Sequence, residues 1–371
     1  MFKLINEEGN ARSGKLKTAH GIIETPFFMP VLTKGTAKFV SQEELIEMNT
    51  QAVIANAFLL YLKPGLEVIE KANGLHEFMH WKKVIFTDSG GFQIIKPQFI
   101  IGINDKGITF RNPFDKSMAF LSPEKSIQIQ NALGSDVAMC LDDVPLHDAS
   151  KKRVIESLQR TANWAERCLK AHANKKQLLF GIAQGGHFKE LRKKSLEHLL
   201  ALDFNGIALG GLSIGEPKKQ LHETIKHSMK VIKSKNNELP VYLMGVGSPV
   251  ELLEAIDSGI DVFDSAFPTK HGRHGQLFTS KGMIDLNKAK YSTDFTSIDE
   301  NCECFACRHS TKALMHHLIK VKEPNAQRYA SHHNLHFIQS LMLEARKAIK
   351  QNYFQAFKKE FLKEYPKKTK S

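Results

Sequence analysis

Short apolar runs alternate with longer helix-like stretches over most of the chain. The runs are Gln51–Ala55, Val84–Phe86, Asp136–Met139, Leu178–Ile182, Gly206–Leu209, Val241–Met244 and Asp261–Phe263. They are continuously apolar rather than alternating, as strands covered on both faces are. Most end in Gly, Asp or Pro and lead into a segment of helical period. Lys151–Ala173 carries Val154, Leu158, Ala162, Ala165 and Leu169 at three- and four-residue spacing, and Pro249–Ser258 puts Val250, Leu253 and Ile256 on one face behind an N-terminal proline. The pattern predicts an α/β fold with a parallel sheet. About seven or eight such units suit a closed (β/α)8 TIM barrel with insertions better than an open doubly wound sheet, although periodicity alone does not count closure. No internal repeat or low-complexity tract interrupts it.

Beyond Lys281 the pattern changes to a Cys- and His-rich stretch, then an amphipathic, basic helix over roughly Asn334–Phe361. We read 1–280 as the catalytic barrel with an N-terminal extension, and 281–371 as a smaller subdomain with a basic helical tail.

Composition narrows the class. Hydrophobic residues at 42% and charged residues at 25% match a globular chain and exclude disordered or collagen-like ones. No run approaches the roughly 18 apolar residues of a membrane span. Met1–Glu8 has neither the apolar core nor the cleavage site of a secretory signal, which predicts a cytoplasmic protein. Lys and Arg number 52 against 39 Asp and Glu, for a net charge of +13. That excess points to a polyanionic partner, nucleic acid rather than membrane, because no strongly apolar amphipathic face accompanies it.

Polar residues stand directly after the apolar runs, where a β/α barrel builds its active site. Interleaved with glycines, the segments there include Asp88-Ser89-Gly90-Gly91-Phe92, Asp142-Asp143, Gln184-Gly-Gly, Gly211-Leu212-Ser213, Met244-Gly245 and Asp264. Helix caps and tight turns account for any one of these sites. A series of them, three with Asp, points to one mouth lined by Asp88, Asp142 and Asp264. Paired carboxylates are the tools for breaking a glycosidic bond, and clustered Asp also binds Mg²⁺ for hydrolysis. Lys270-His271-Gly272-Arg273 follows Asp264 as a solvated basic turn or a phosphate-binding loop.

Three of the five cysteines, Cys302, Cys304 and Cys307, fall within six positions, and His333 follows after 25 intervening residues. Three thiolates and an imidazole make a tetrahedral structural Zn²⁺ site. His316, His317, His332 and His336 are rival fourth ligands by spacing. Cys140 and Cys168 are isolated and read as ordinary buried thiols.

Thr87-Asp88-Ser-Gly-Gly-Phe-Gln, Gly181-Ile-Ala-Gln-Gly-Gly, Gly210-Gly211-Leu-Ser-Ile-Gly-Glu, Tyr242-Leu-Met-Gly-Val-Gly and Phe263-Asp264 through Gly275 resemble, in order, the bacterial-type tRNA-guanine transglycosylases, the queuine tRNA-ribosyltransferase family. The Cys-x-Cys-x2-Cys…His end does so too. The resemblance implies a barrel with a zinc-binding insertion, one structural zinc per subunit, and exchange of the wobble guanine in G-U-N anticodon tRNAs for a deazaguanine base. It implies Asp264 as nucleophile and Asp88 as general base. Ser89, Gly90, Gly91, Phe92, Asp142, Gln184, Gly211, Leu212, Met244 and Gly245 would bind the base, with Phe92 and Met244 sandwiching it. Lys270, His271, Gly272 and Arg273 would hold the RNA, and the family often works as a homodimer.

Two positions depart from the bacterial pattern. Val144-Pro145 stands where Cys-Thr-Pro is usual, and Leu212-Ser-Ile-Gly215-Glu216 replaces Leu-Ala-Val-Gly-Glu. The valine resembles the queuine-using eukaryotic enzymes. Ile214 has no counterpart to their extra glycine, and a branched wall favours the small prequeuosine base over queuine. Queuine salvage by the same mechanism is the alternative. A non-catalytic tRNA-binding partner subunit is another, set against the retention of Asp88 and Asp264. A glycoside hydrolase would share the carboxylates and leave the cysteine cluster unexplained.

Overall fold

The structure is a computed structural model that describes residues 2–91, 98–235 and 238–365. Three antiparallel strands come first, β1 (Phe2–Glu8), β2 (Ala11–Thr18) and β3 (Gly21–Thr25). The main sheet begins with β4 (Phe27–Met29), β5 (Val31–Leu32), β6 (Ala52–Asn56) and β7 (Val84–Asp88). The chain then detours through an antiparallel sheet of β8 (Ile100–Asn104), β9 (Gly107–Arg111) and β10 (Met118–Leu121). It returns to the main sheet as β11 (Val137–Met139), β12 (Leu178–Ala183), β13 (Gly206–Leu209), β14 (Val241–Leu243) and β15 (Val262–Asp264).

The main sheet runs β4-β15-β14-β13-β12-β11-β7-β6-β5, and its paired strands are parallel. Only Pro30 separates β4 from β5, so the two are one interrupted strand and the ring closes with eight staves. Proline has no N–H to give a ladder, which splits the stave, but its carbonyl still accepts from Ile54 N at 3.1 Å. The barrel expected from the apolar runs is therefore present. Its first stave is the one those runs omit, because Pro26 and Pro30 break up the apolar stretch.

Side chains alternate across the wall as the two-residue period of a strand requires. Phe27, Met29, Ile54, Phe86, Met139, Phe180, Ile182 and Tyr242 fill the barrel interior. Phe28, Val53, Ile85, Ala138, Ile207 and Phe263 face outward into a second core with the surrounding helices. Leu16 and Ile23 of the N-terminal sheet join the inner cluster and close the floor.

That floor is pinned by two buried carboxylates. Arg12 reaches Asp261 through Nη2 at 2.5 Å and Nε at 3.1 Å. Asp136 accepts from His20 N and Nδ1 at 2.9 and 3.0 Å on one oxygen, and from Ile85 N and His76 Nε2 at 2.9 and 3.1 Å on the other. Burial pushes the Asp136 pKa up, but these hydrogen bonds outweigh it and hold it at about 2. The two imidazoles stack 3.6 Å apart and spend their nitrogens on different oxygens, so the group ties the floor to the barrel.

After β15 come a seven-residue helix, Phe267–Arg273, and a hairpin of β16 (Gln276–Thr279) and β17 (Gly282–Asp285). The cysteine segment follows. The expected tail helix begins earlier, as Pro324–Lys350, because Pro324 sits in its first turn behind the capping Glu323. It stops at Lys350, Asn352 takes φ 55°, and a second helix runs Phe354–Glu364. The long helix lies on the first stave, where Gln339 Nε2 donates to Phe28 O at 3.1 Å and Arg346 Nη1 to Pro26 O at 2.7 Å. No described helix is long and apolar enough to cross a membrane.

Candidate active site

Parallel strands put all their C-terminal ends on one rim, and the loops leaving that rim enclose a cavity of about 650 Å³. Asp88, Ser89, Gly90, Gly91, Asp142, Gly211, Leu212, Met244, Gly245 and Asp264 all line it. Phe92 lies outside the described residues. Gln184 is not a lining residue but sits behind Asp142. The segment Lys270–Arg273, expected as a loop, is the end of a helix leading away from the cavity. Gly272 there is a packing position: a Cβ on it would come 2.8 Å from the backbone of Ala330.

Asp264 ends β15. Its Oδ1 accepts from the Tyr242 hydroxyl at 2.6 Å and from Gly245 N at 2.9 Å. Burial raises the Asp264 pKa, and these two donors work against it by favouring the ionised form. Tyr242 is fully buried in the barrel interior, and its own pKa is raised, first by burial and then by the Asp264 charge. Across the ring, Asp88 ends β7 beside Asn56 at the end of β6, the two being register partners. Asn56 Nδ2 donates to Asp88 Oδ2 at 3.0 Å, while its Oδ1 caps the next helix by accepting from Leu59 N at 2.7 Å.

Asp142 and Gln184 form a buried polar pair, with Gln184 Nε2 donating to Asp142 Oδ2 at 2.7 Å. Burial dominates the Asp142 pKa and pushes it up to about 7, with the neighbouring Asp143 charge adding to the rise and the Gln184 bond opposing it. Asp143 itself is held by Arg153 and Arg160. Gly211 stands at φ +66°, and a Cβ there would come 2.4 Å from Gln184 Oε1, so only glycine brings this backbone up to the pair. Buried Arg192 donates to the carbonyls of Ala183, Gly210 and Gly186, and Ser195 Oγ accepts from Gln184 N, fixing the loops that carry Gln184 and Gly211. The next turn is clamped by Glu216, which accepts from Ser213 N and from Ile214 N, and Ile214 lines the cavity.

Tyr242, Asn56, Arg192 and Ser195 were not singled out by sequence reasoning. Asn56 directly follows the run Gln51–Ala55 and was open to the same reading as Asp88. Tyr242 lies inside an apolar run and carries no such signal.

The cysteine cluster closes as a four-donor group. Cys302, Cys304, Cys307 and His333 each place one donor atom within 4.8 Å of the others. His333 Nδ1 lies 3.8, 3.4 and 3.3 Å from the three sulfurs in that order. A tetrahedral ion with bonds of about 2.0–2.3 Å has ligand edges of about 3.5 Å, so the spacing fits a metal such as zinc. The other ring nitrogen, His333 Nε2, donates to Phe278 O at 2.5 Å, which leaves Nδ1 for the ion. Among the rivals, His316 Nδ1 is spent on Leu286 O at 2.7 Å, and His336 approaches only Cys302, at 3.6 Å.

Two outcomes follow. Cys304→Ala should lose bound metal by elemental analysis and lower the thermal midpoint; full occupancy in the variant would contradict the site. For Asp142, the native pKa of about 7 exceeds the unfolded value near 3.8. The native state therefore holds this proton longer, and stability falls as pH rises from about 4 through about 7. Urea unfolding should show the native chain losing stability relative to Asp142→Asn between about pH 4 and about pH 7, with the gap constant above that; a gap independent of pH throughout would refute the buried proton.

A family model described as queuine tRNA-ribosyltransferase matches residues 7–367. The queuine tRNA-ribosyltransferase of Halothermothrix orenii is 45% identical over 366 residues, covering 98% of this chain and 97% of that protein. The protein of the same name from Fusobacterium nucleatum is 43% identical over 367 residues, covering 98% of both chains. Three thiolates with one imidazole, and a barrel mouth set with three aspartates, thus occur in a sequence that matches this family from end to end. The chain belongs to the queuine tRNA-ribosyltransferase family, enzymes that act as tRNA-guanine transglycosylases.

Proposed function

We propose that the chain exchanges the wobble guanine of G-U-N anticodon tRNAs for a 7-deazaguanine base through a covalent Asp264–ribosyl intermediate. The observation that carries this reading is the placing of Asp88 and Asp264 at two strand ends of one cavity, with the Asp142–Gln184 pair set beside them as a base reader. Tyr242 and Gly245 both bond Oδ1 of Asp264, so Oδ2 is the attacking atom. Oδ2 bonds to C1′ of the ribose as the C1′–N9 bond breaks, and the electron pair leaves with guanine, which takes a proton from the Asp88 carboxyl. The incoming base then gives its N9 proton to Asp88, N9 bonds to C1′, and the Asp264 ester bond breaks.

The extruded base stacks against Met244 and Phe92, with its edge at Asp142, Gln184, Gly211 and Leu212, and with Ser89, Gly90 and Gly91 forming the adjoining wall. Lys270 and Arg273 face the RNA backbone, with His271 beside them, while Gly272 lets their helix approach Ala330. The metal is a structural zinc, the chain works as a homodimer, and it acts in the cytoplasm. The incoming base is the prequeuosine base rather than queuine, because Ile214 lines the cavity on a turn held by Glu216 and leaves little room for a cyclopentenediol.

Quenched with tRNA on a denaturing gel, the native chain should run as an RNA adduct, and Asp264→Ala should give neither adduct nor exchange. A folded Asp264→Ala protein with full exchange would sink the assignment. In competition for tRNA carrying radiolabelled guanine, the prequeuosine base should act at concentrations at least about tenfold below those of queuine; equal potency would overturn the base preference.

A further inference from the structure

The cations of the cavity mouth lie on one side of it. Loops after β11, β13 and β14 contribute Val144, Leu212, Ile214 and Met244 and no Lys or Arg. The other side, reached around the ring from the first stave to the insertion after β7, contributes Lys34 and Arg111 among apolar residues such as Phe58 and Phe110. Both side chains are exposed, and no carboxylate among the described residues pairs with either. In the ring order, Lys34 sits in the turn after the stave next to β15, whose following helix carries Lys270 and Arg273. Within the cavity lining, positive charge is thus confined to Lys34 and Arg111.

An aromatic side chain stands in the same arc. Phe114 lines the cavity and is 40% exposed. It is presented by a closed turn: Phe114 N donates to Asn112 Oδ1 at 2.9 Å, Lys116 N to Asn112 O at 3.0 Å, and Asn112 N to Ser117 O at 2.8 Å. The Lys63 ammonium lies 5.8 Å from its ring centroid. A held-out ring with cations beside it is how proteins grip a single strand, stacking one base while the charges follow the phosphates.

We propose that Lys34, Arg111 and Phe114 form a second RNA-gripping jaw. It holds nucleotides that flank the exchanged one on the side of the mouth away from the base-reading loops. Lys34 and Arg111 meet phosphates, and Phe114 stacks a flanking base. The assignment rests on the tRNA reaction proposed above. It gives the insertion β8–β10, which contributes nothing to the paired carboxylates, a part in holding the substrate.

The test compares the full-length native chain with a Lys34→Ala/Arg111→Ala variant and with Phe114→Ala, using one G-U-N anticodon tRNA transcript and free guanine. Circular dichroism and metal content confirm folding. The double variant should bind tRNA roughly tenfold or more weakly near 0.1 M salt, and its log affinity should depend less steeply on log salt, by roughly 0.7 per cation removed. Phe114→Ala should raise the KM for tRNA roughly fivefold or more with the salt slope unchanged. The KM for guanine should stay native in both. Native exchange alongside a native salt slope and native tRNA KM in the variants would overturn the jaw alone. So would an effect confined to the KM for guanine. A native chain that exchanges no guanine in this tRNA would overturn the reaction itself, and the jaw with it.

Discussion

Everything at the cavity depends on the parallel ladder closing on itself. Because the staves run the same way, residues far apart in sequence end on one rim, and Asp88 and Asp264 are placed by their strand neighbours rather than by their own loops. Asp88 is register partner to Asn56 and Asp264 to Met29. Closure passes through Pro30, where a missing N–H divides the stave while the carbonyl keeps the ladder joined to Ile54. An open sheet of the same strands would leave β4 and β5 at opposite edges, which the single residue between them does not allow.

The energetic strain of the site lies in burial. Asp264 and Asp142 are carboxylates removed from water, and both have raised pKa values for that reason. They are stabilised differently. Asp264 gains two donors on one oxygen, and both favour its ionised form. Asp142 gains one side-chain amide and faces the charge of Asp143, so burial keeps its protonated form favoured. Two carboxylates in one cavity thereby acquire different chemistry from their neighbours alone.

Much of this was legible in the sequence because the signals were local. Seven of the staves were visible as apolar runs, and of the polar residues after them Asp88, Asp142 and Asp264 line the mouth. The three cysteines sit within one short segment, so their donors converge with little help from the rest of the fold. What could not be read was set across strands. Pro26 and Pro30 disguised the first stave. Tyr242 looked like any core aromatic, since only closure brings its hydroxyl to Asp264. Spacing left several histidines equivalent, and the choice of His333 depends on how the long helix turns toward the cysteines and toward Phe278. Lys270–Arg273 read as a loop because Gly272 among basic residues conceals a short helix packed on Ala330.

The helix Pro324–Lys350 belongs to two structures at once. In its first half His333 closes the cysteine group, and further along Gln339 and Arg346 hold the carbonyls of Phe28 and Pro26. A metal ion there would act as an anchor at one end of a rod whose other end supports the stave beside Asp264. Metal far from the cavity would then bear on how firmly the ring is clasped at its most interrupted strand.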